Sequence, residues 1–232
     1  MNNTTARRVT GASGVLVGAI GVSIVPLYFM YAGAPPAWNV LTRNLLGVIL
    51  CAFLIVFLAG LRHLIREADA GWEWVATLVY GTGLVHVTLS LVGASLETGG
   101  VFGTPDGTID PTTQGPLAYG NFLLHGTIGR VLTALFLTTA GAAVLQTKAL
   151  PRWVAWTAFG IAGWNLAFVP AMFFGSEAAR FYTANGWGNT ALTASLILYW
   201  IFAVGVAALR RPQVPATRGA VEQHDVLSST TT

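Results

Sequence analysis

Apolar residues fall in six long blocks, about 11–32, 44–65, 73–96, 118–146, 153–175 and 187–209, parted by short polar or turn-forming segments. A bilayer core about 30 Å thick is crossed by roughly 20 apolar residues in a helix, so each block is long enough to span. The pattern predicts an all-α, polytopic membrane protein: a six-helix transmembrane bundle within residues 1–211. The first block shows no plausible cleavage site and is long enough to cross, so no signal peptide is expected. The stretch 97–117, with GGVFGTPDGTIDPTTQGP at its centre, is dense in Gly, Pro and Asp and is expected to be a turn-rich loop without regular structure. Residues 212–232 are polar, carry two prolines and show no apolar period, and are expected to form a disordered tail.

Composition sharpens this picture. Apolar types make up 54 % of the 232 residues and charged types 9 %, and the mean hydropathy is +0.64. Soluble domains carry about 25 % charged residues, so the chain lacks the means to cover a water-facing surface. Its +3 formal charge comes from scattered arginines, which excludes nucleic acid as a partner. The single cysteine, Cys51, lies inside an apolar block; an internal disulfide, a CxxC centre and a thiolate zinc site are all ruled out.

Of twelve Lys and Arg residues, Arg7, Arg8, Arg62, Arg66, Lys148, Arg152, Arg210, Arg211 and Arg218 fall on one side of the predicted topology. Arg43, Arg130 and Arg180 remain for the other side or the interior. The positive-inside rule then predicts cytoplasmic termini, with the chain in the cytoplasmic membrane of a bacterium. Trp72, Trp74, Trp153 and Trp156 would mark the inner interface, and Tyr31, Trp38, Tyr119, Tyr182 and Trp187 the outer one. Gly11, Gly14, Gly18 and Gly21 form a small-residue stripe on span one, expected to pack against another helix. The same is expected of Gly126 and Gly129 in span four and of Gly160 and Gly163 in span five.

Ionisable groups inside a bilayer are costly and usually face the bundle interior with a partner. Span three carries Thr82, His86, Ser90 and Glu97 on one helical face, span four Asn121 and His125, then Arg130. Span five holds Asn165, and span six Asn189 and Thr193. The simplest construction is an outward-opening polar cavity lined by spans three to six and containing His86, Glu97, His125, Arg130 and Asn165. There Glu97 or His86 would move protons, His125 and Asn165 would orient a lipophilic substrate, and Arg130 would anchor its polar end. The bland readings are that Arg130 pairs with Glu97 or Glu177 and satisfies backbone carbonyls to hold helices together, that the histidines and Asn165 make interhelical hydrogen bonds, and that Glu97 sits at the outer water interface. Two histidines at unequal depth, with no HExxH motif, speak against a haem or metal, and no metal ligand set is assigned; the cofactor stays unknown.

The stretch LLHGTIGRVLTALFLTTAGAAVLQTKALPRWVAWTAFGIAG, the opening TARRVTGASGVLVGAIG and the span-two exit GLRHLIREA resemble a large family of bacterial six-span membrane proteins known only as a domain of unknown function. The resemblance covers about residues 5–175 and implies the six-span topology; it implies no activity and carries no catalytic residue. No Pro-x-Glu-Glu/Asp motif of the carotenoid cyclases occurs, and the cysteine pair of quinone-epoxide reductases is missing. Two functions therefore stand side by side: a membrane-embedded enzyme performing proton-transfer chemistry on an isoprenoid- or lipid-like small molecule, and a non-catalytic binding, transport or accessory-subunit protein whose buried polar residues are structural. The bilayer is a partner in either case, and an oligomer or larger complex is compatible with both.

Overall fold

The computed structural model describes residues 3–31, 33–104, 107, 109–114 and 117–210. Among these the chain is helical and holds no strand. The helices are α1 (Asn3–Phe29), α2 (Ala37–Ala68), α3 (Glu73–Gly103), α4 (Ala118–His125), α5 (Thr127–Thr147), α6 (Arg152–Ala167) and α7 (Thr193–Arg210). Short 3₁₀ turns at Ala70–Trp72 and Val169–Phe174 and a π turn at Gly188–Leu192 extend α3, α6 and α7. With these extensions, and with α4 and α5 taken together, six helical segments are long and apolar enough to cross a membrane. The expected tail, 212–232, lies outside the described residues.

Local chemistry sets the boundaries. Pro36 precedes α2 in an extended conformation, where its missing N–H costs nothing. Asp69 ends α2 and accepts from the Gly71 N–H at 2.9 Å, opening the turn into α3. Lys148 closes α5 in the left-handed conformation (φ 55°), and Pro151 stands immediately before α6. Pro170 has no N–H to continue the α6 ladder, and the chain tightens there into 3₁₀ geometry.

The segments close into a ring: α1 packs on α2, α2 on α3, α3 on α5, α5 on α6, α6 on α7, and α7 back on α1. The glycine stripe of α1 is the α1–α7 seam. A Cβ at Gly18 would lie 2.4 Å from the Phe202 Cβ, and one at Gly14 would lie 3.0 Å from the Gly205 Cα. Backbones approach this closely only where side chains are absent, which is how helices gain dispersion contact in lipid. Gly60 of α2 likewise receives Thr10. Gly160 and Gly163 do not join a seam, because a Cβ on either would meet open space. Gly126 and Gly129 face their own chain: added carbons would strike the carbonyls of Phe122 and Leu124, at the break between α4 and α5.

The half of the ring nearer Asn3 and Arg210 is filled by Phe57, Leu61, Ile65, Val79, Leu137, Val144, Val154 and Val204, all essentially inaccessible. Phe136 and Trp200 meet edge to face at 5.9 Å, and the Trp200 indole donates to the Val154 carbonyl at 3.1 Å, tying α7 to α6. The other half of the ring is hollow.

Candidate functional site

That hollow is a cavity of about 530 Å³, lined by α1, α2, α3, α4, α5 and α7. Its apolar part is walled by Leu54, Leu58, Phe136, Ile197 and Ile201. Toward the α1–α2 and α3–α4 loops the wall becomes polar: Arg43, Asn44, Glu97, Asn121, His125 and Arg130.

Arg43 and Glu97 carry the polar end. Both side chains are almost wholly buried, with an N–O separation of 3.5 Å. The Arg43 guanidinium also lies 4.3 Å from the centre of the Tyr28 ring and donates to the Thr112 hydroxyl of the α3–α4 connection. Asp110 holds that connection in shape, accepting from the Thr112 N–H and the Thr113 hydroxyl, and Pro111 packs on Gly100 of α3. Beside the pair, the Asn44 amide donates to the Thr98 hydroxyl at 3.2 Å. Nearer the α1–α2 loop, Asn39 donates to the Leu27 carbonyl at 3.0 Å. Among the described residues, Arg43 Nε and Asn121 Oδ1 are buried on this wall without a hydrogen-bond partner, and Glu97 Oε2 meets Arg43 at 3.5 Å.

His125 is presented by the helix break. It is the last residue of α4, and its Nδ1 lies 3.1 Å from the Asn121 carbonyl oxygen. The imidazole rests against Gly93 of α3, where an added Cβ would fall 1.9 Å from its Cε1 and 2.6 Å from Asn121 Oδ1. Only a glycine leaves room for the ring at this crossing. His86 lines the same cavity, within electrostatic reach of His125 and Arg130.

Arg130, which also lines the cavity, is engaged within the fold. Its Nε donates to Asn189 Oδ1 at 3.1 Å, and a terminal nitrogen donates to the Asn189 carbonyl. Asn189 in turn donates to the Ala184 carbonyl at 2.8 Å. The arginine therefore clasps α5 to the π turn heading α7. Neither carboxylate expected as its partner is used: Glu97 pairs with Arg43, and Glu177 pairs with the exposed Arg180 at 2.6 Å.

The expected walls, spans three to six, need two corrections. Spans one and two line the cavity, and span five does not. The Arg130–Asn189 clasp brings α5 against the head of α7, and α6 lies behind that junction, with Trp164 donating to the Thr193 hydroxyl at 3.1 Å. Asn165 is consequently shut out of the cavity; it is buried and donates back to the Ile161 carbonyl of its own helix at 2.8 Å. Glu97 is buried beside Arg43 within α3, which continues through Gly103. That continuation also replaces the first third of the expected irregular loop with helix.

His86, Glu97, His125 and Arg130 thus line one cavity, and Asn165 does not. Arg43, Tyr28 and Gly93 were missed by sequence reasoning. Their signals were present: Asn39, Arg43 and Gly47 share a face at offsets of four and eight, and Gly93 interrupts the polar stripe one turn before Glu97. Among the described residues, no three His, Cys, Asp or Glu side chains are grouped to hold a metal ion. No family model matches the chain, and no curated protein or solved structure is detectably similar to it.

Proposed function

We propose that the protein is a multi-pass protein of the bacterial cytoplasmic membrane, with both termini inside, that binds a lipophilic small molecule in the cavity and performs proton-transfer chemistry at its polar end. The observation that carries this reading is the two-sided cavity. Its volume falls within the roughly 300–1,000 Å³ of ordinary small-molecule sites, its depth is aliphatic, and Arg43, Glu97, Asn121 and His125 line its other end. A few polar side chains converging on one end of an apolar hollow are what orients a small molecule with a polar end and a lipophilic body. His125 is the preferred proton-transfer residue and His86 the second, since Glu97 is already held by Arg43. The polar end of the molecule would lie against Arg43, Asn121 and His125, with Arg130 keeping the wall in place.

A non-catalytic role is favoured by one feature, the Arg130–Asn189 clasp, in which a buried polar group acts within the fold. The resemblance to bacterial six-span proteins bears on the topology and not on this choice. The test is organic extraction of the purified full chain followed by mass spectrometry, run beside Gly47→Phe. Gly47 lines the cavity, and a Cβ there meets open space, so the phenyl ring enters the hollow without a clash at its root. A lipophilic compound enriched in wild type and lost from the folded variant supports the reading; equal extracts overturn it. Turnover of that compound, abolished in His125→Phe, would establish an enzyme, and binding without turnover the non-catalytic role.

A further inference from the structure

The way into the cavity follows from where the α1–α7 seam stops closing. We infer that the cavity is loaded sideways, through a slit between α1 and α7 in the leaflet nearer the α3–α4 connection, by the hydrocarbon chain of a bilayer lipid; this rests on the reading of the cavity as a lipophile site.

The seam has two parts. Its closed part runs from Gly11 to Gly21 on α1, against Leu209, Gly205, Phe202 and Leu198 on α7. Gly14, Val17, Gly18 and Gly21 are buried there. The closed part ends at Gly21, where an added Cβ would fall 2.7 Å from Leu198 Cδ1. Beyond that contact both helical faces continue at offsets of three, four and seven. They present Ile24, Val25 and Tyr28 on α1, and Ser195, Ala194 and Ala191 running back from Leu198. None of these six is buried, Tyr28 and Ala194 are exposed, and all six line the cavity. Residues that would interlock if the seam continued border open space instead.

The sequence accounts for the change. Small residues let the two backbones touch as far as Gly21. Ile24 and Val25 then put branched side chains where the stripe would carry its next glycine, and Pro26 interrupts the hydrogen-bond ladder of α1 at the same level.

From Gly21 to Tyr28 the slit is about 10 Å tall, at roughly 1.5 Å per residue, and none of its six edge residues is charged. It falls within the parts of α1 and α7 that are apolar enough to cross a membrane, so lipid tails would meet it directly. The approach from the loops passes Arg43, Glu97 and Asp110. A lipophilic body taking that route would first leave the bilayer for water and forfeit its burial, whereas the slit keeps it in hydrocarbon throughout. Val48 of α2 and Leu91 of α3 are also exposed cavity-lining residues, but Arg43–Glu97 and Asn44–Thr98 tie those two helices within two turns. That seam is the control.

The experiment is photolabelling of the full chain in phosphatidylcholine nanodiscs containing hexadecan-1-ol with a diazirine at its chain end. Mass spectrometry reads the residues that take the label. Insertion is expected at Leu54, Phe136 or Ile197, buried residues of the cavity wall, and at Ala194 on the edge of the slit. Two variants shut the slit. In a Cys51→Ala background, which removes the single native cysteine, Val25→Cys and Ala194→Cys are joined by a reducible bis-methanethiosulfonate. Separately, Ala194→Trp fills the gap, and it suffices if the cysteine pair does not fold. Either closure should cut labelling of the interior residues about tenfold, as loading through a shut entrance slows. Reduction of the bridge with dithiothreitol should restore it. Val48→Cys and Leu91→Cys, joined the same way, should leave it unchanged. Interior labelling that survives both closures, or that is lost only with the α2–α3 bridge, overturns the slit and leaves a lipophile site standing. Ala194 unlabelled in the unmodified chain places another chain over the seam and likewise overturns the slit. No interior labelling in the unmodified chain overturns both the inference and the reading beneath it.

Discussion

The Arg43–Glu97 pair offers a quantitative test, because two buried charges at the cavity wall have a calculable dependence on each other. Glu97→Gln leaves Arg43 without its carboxylate. Removing one partner of a buried pair costs about 3–5 kcal/mol, since the survivor stays desolvated and unpaired. Arg43 retains the Tyr28 ring at 4.3 Å and the Thr112 hydroxyl, which places this variant near the low end, about 3 kcal/mol. Arg43→Met strands the carboxylate and also frees the α3–α4 connection; it should cost about 4 kcal/mol. The double variant removes both charges. Its cost should fall short of the sum by about 2 kcal/mol, well above the roughly 0.6 kcal/mol average for interhelical hydrogen bonds in membranes. The assay is reversible unfolding of the full chain in mixed micelles with increasing dodecyl sulfate, followed by far-ultraviolet circular dichroism. Additivity within about 0.5 kcal/mol would refute a coupled pair.

Three further outcomes are expected. Asn189→Ala should destabilise more than Arg130→Met in the same assay: the first strands a buried guanidinium, the second leaves only neutral acceptors, at about 1–3 kcal/mol. Gly18→Leu, forced against Phe202, should lose about 1–3 kcal/mol or prevent folding, whereas Gly160→Leu, facing open space, should change stability by less than about 0.5 kcal/mol. A periplasm-dependent phosphatase reporter fused after Arg210 should be inactive, and one placed in the α3–α4 connection active; the reverse would overturn the orientation drawn from the arginine distribution.

The helical architecture was legible because six apolar blocks each reach the length at which a helix can cross a bilayer. The α1 glycine stripe was legible for a similar reason, since close approach needs small side chains. The site was only partly so. Helical offsets place His86, Ser90 and Glu97 on one face without naming the helix opposite, and the partner of Glu97 proved to be Arg43, 54 residues earlier in the chain. Extrapolation through span four failed at Gly126, where the break between α4 and α5 resets the direction of every side chain beyond it. Asn165 looked equivalent to the other buried polar residues, yet its helix is screened by a clasp between two others. Such outcomes depend on tertiary order around the ring, which periodicity within one helix does not encode. Gly160 and Gly163 make the same point, sharing the spacing of the α1 stripe with no helix against them.

The central claim is a lipophile-sized hollow between Gly93 and His125 at one end and Leu54 and Ile197 at the other. A crystallographic map of the full chain grown from a lipidic phase tests it most directly. Continuous non-protein density should run from the His125 imidazole and Arg43 into the aliphatic depth, and should vanish in Gly47→Phe. Side chains closing that space, or density no different in the variant, would contradict the account.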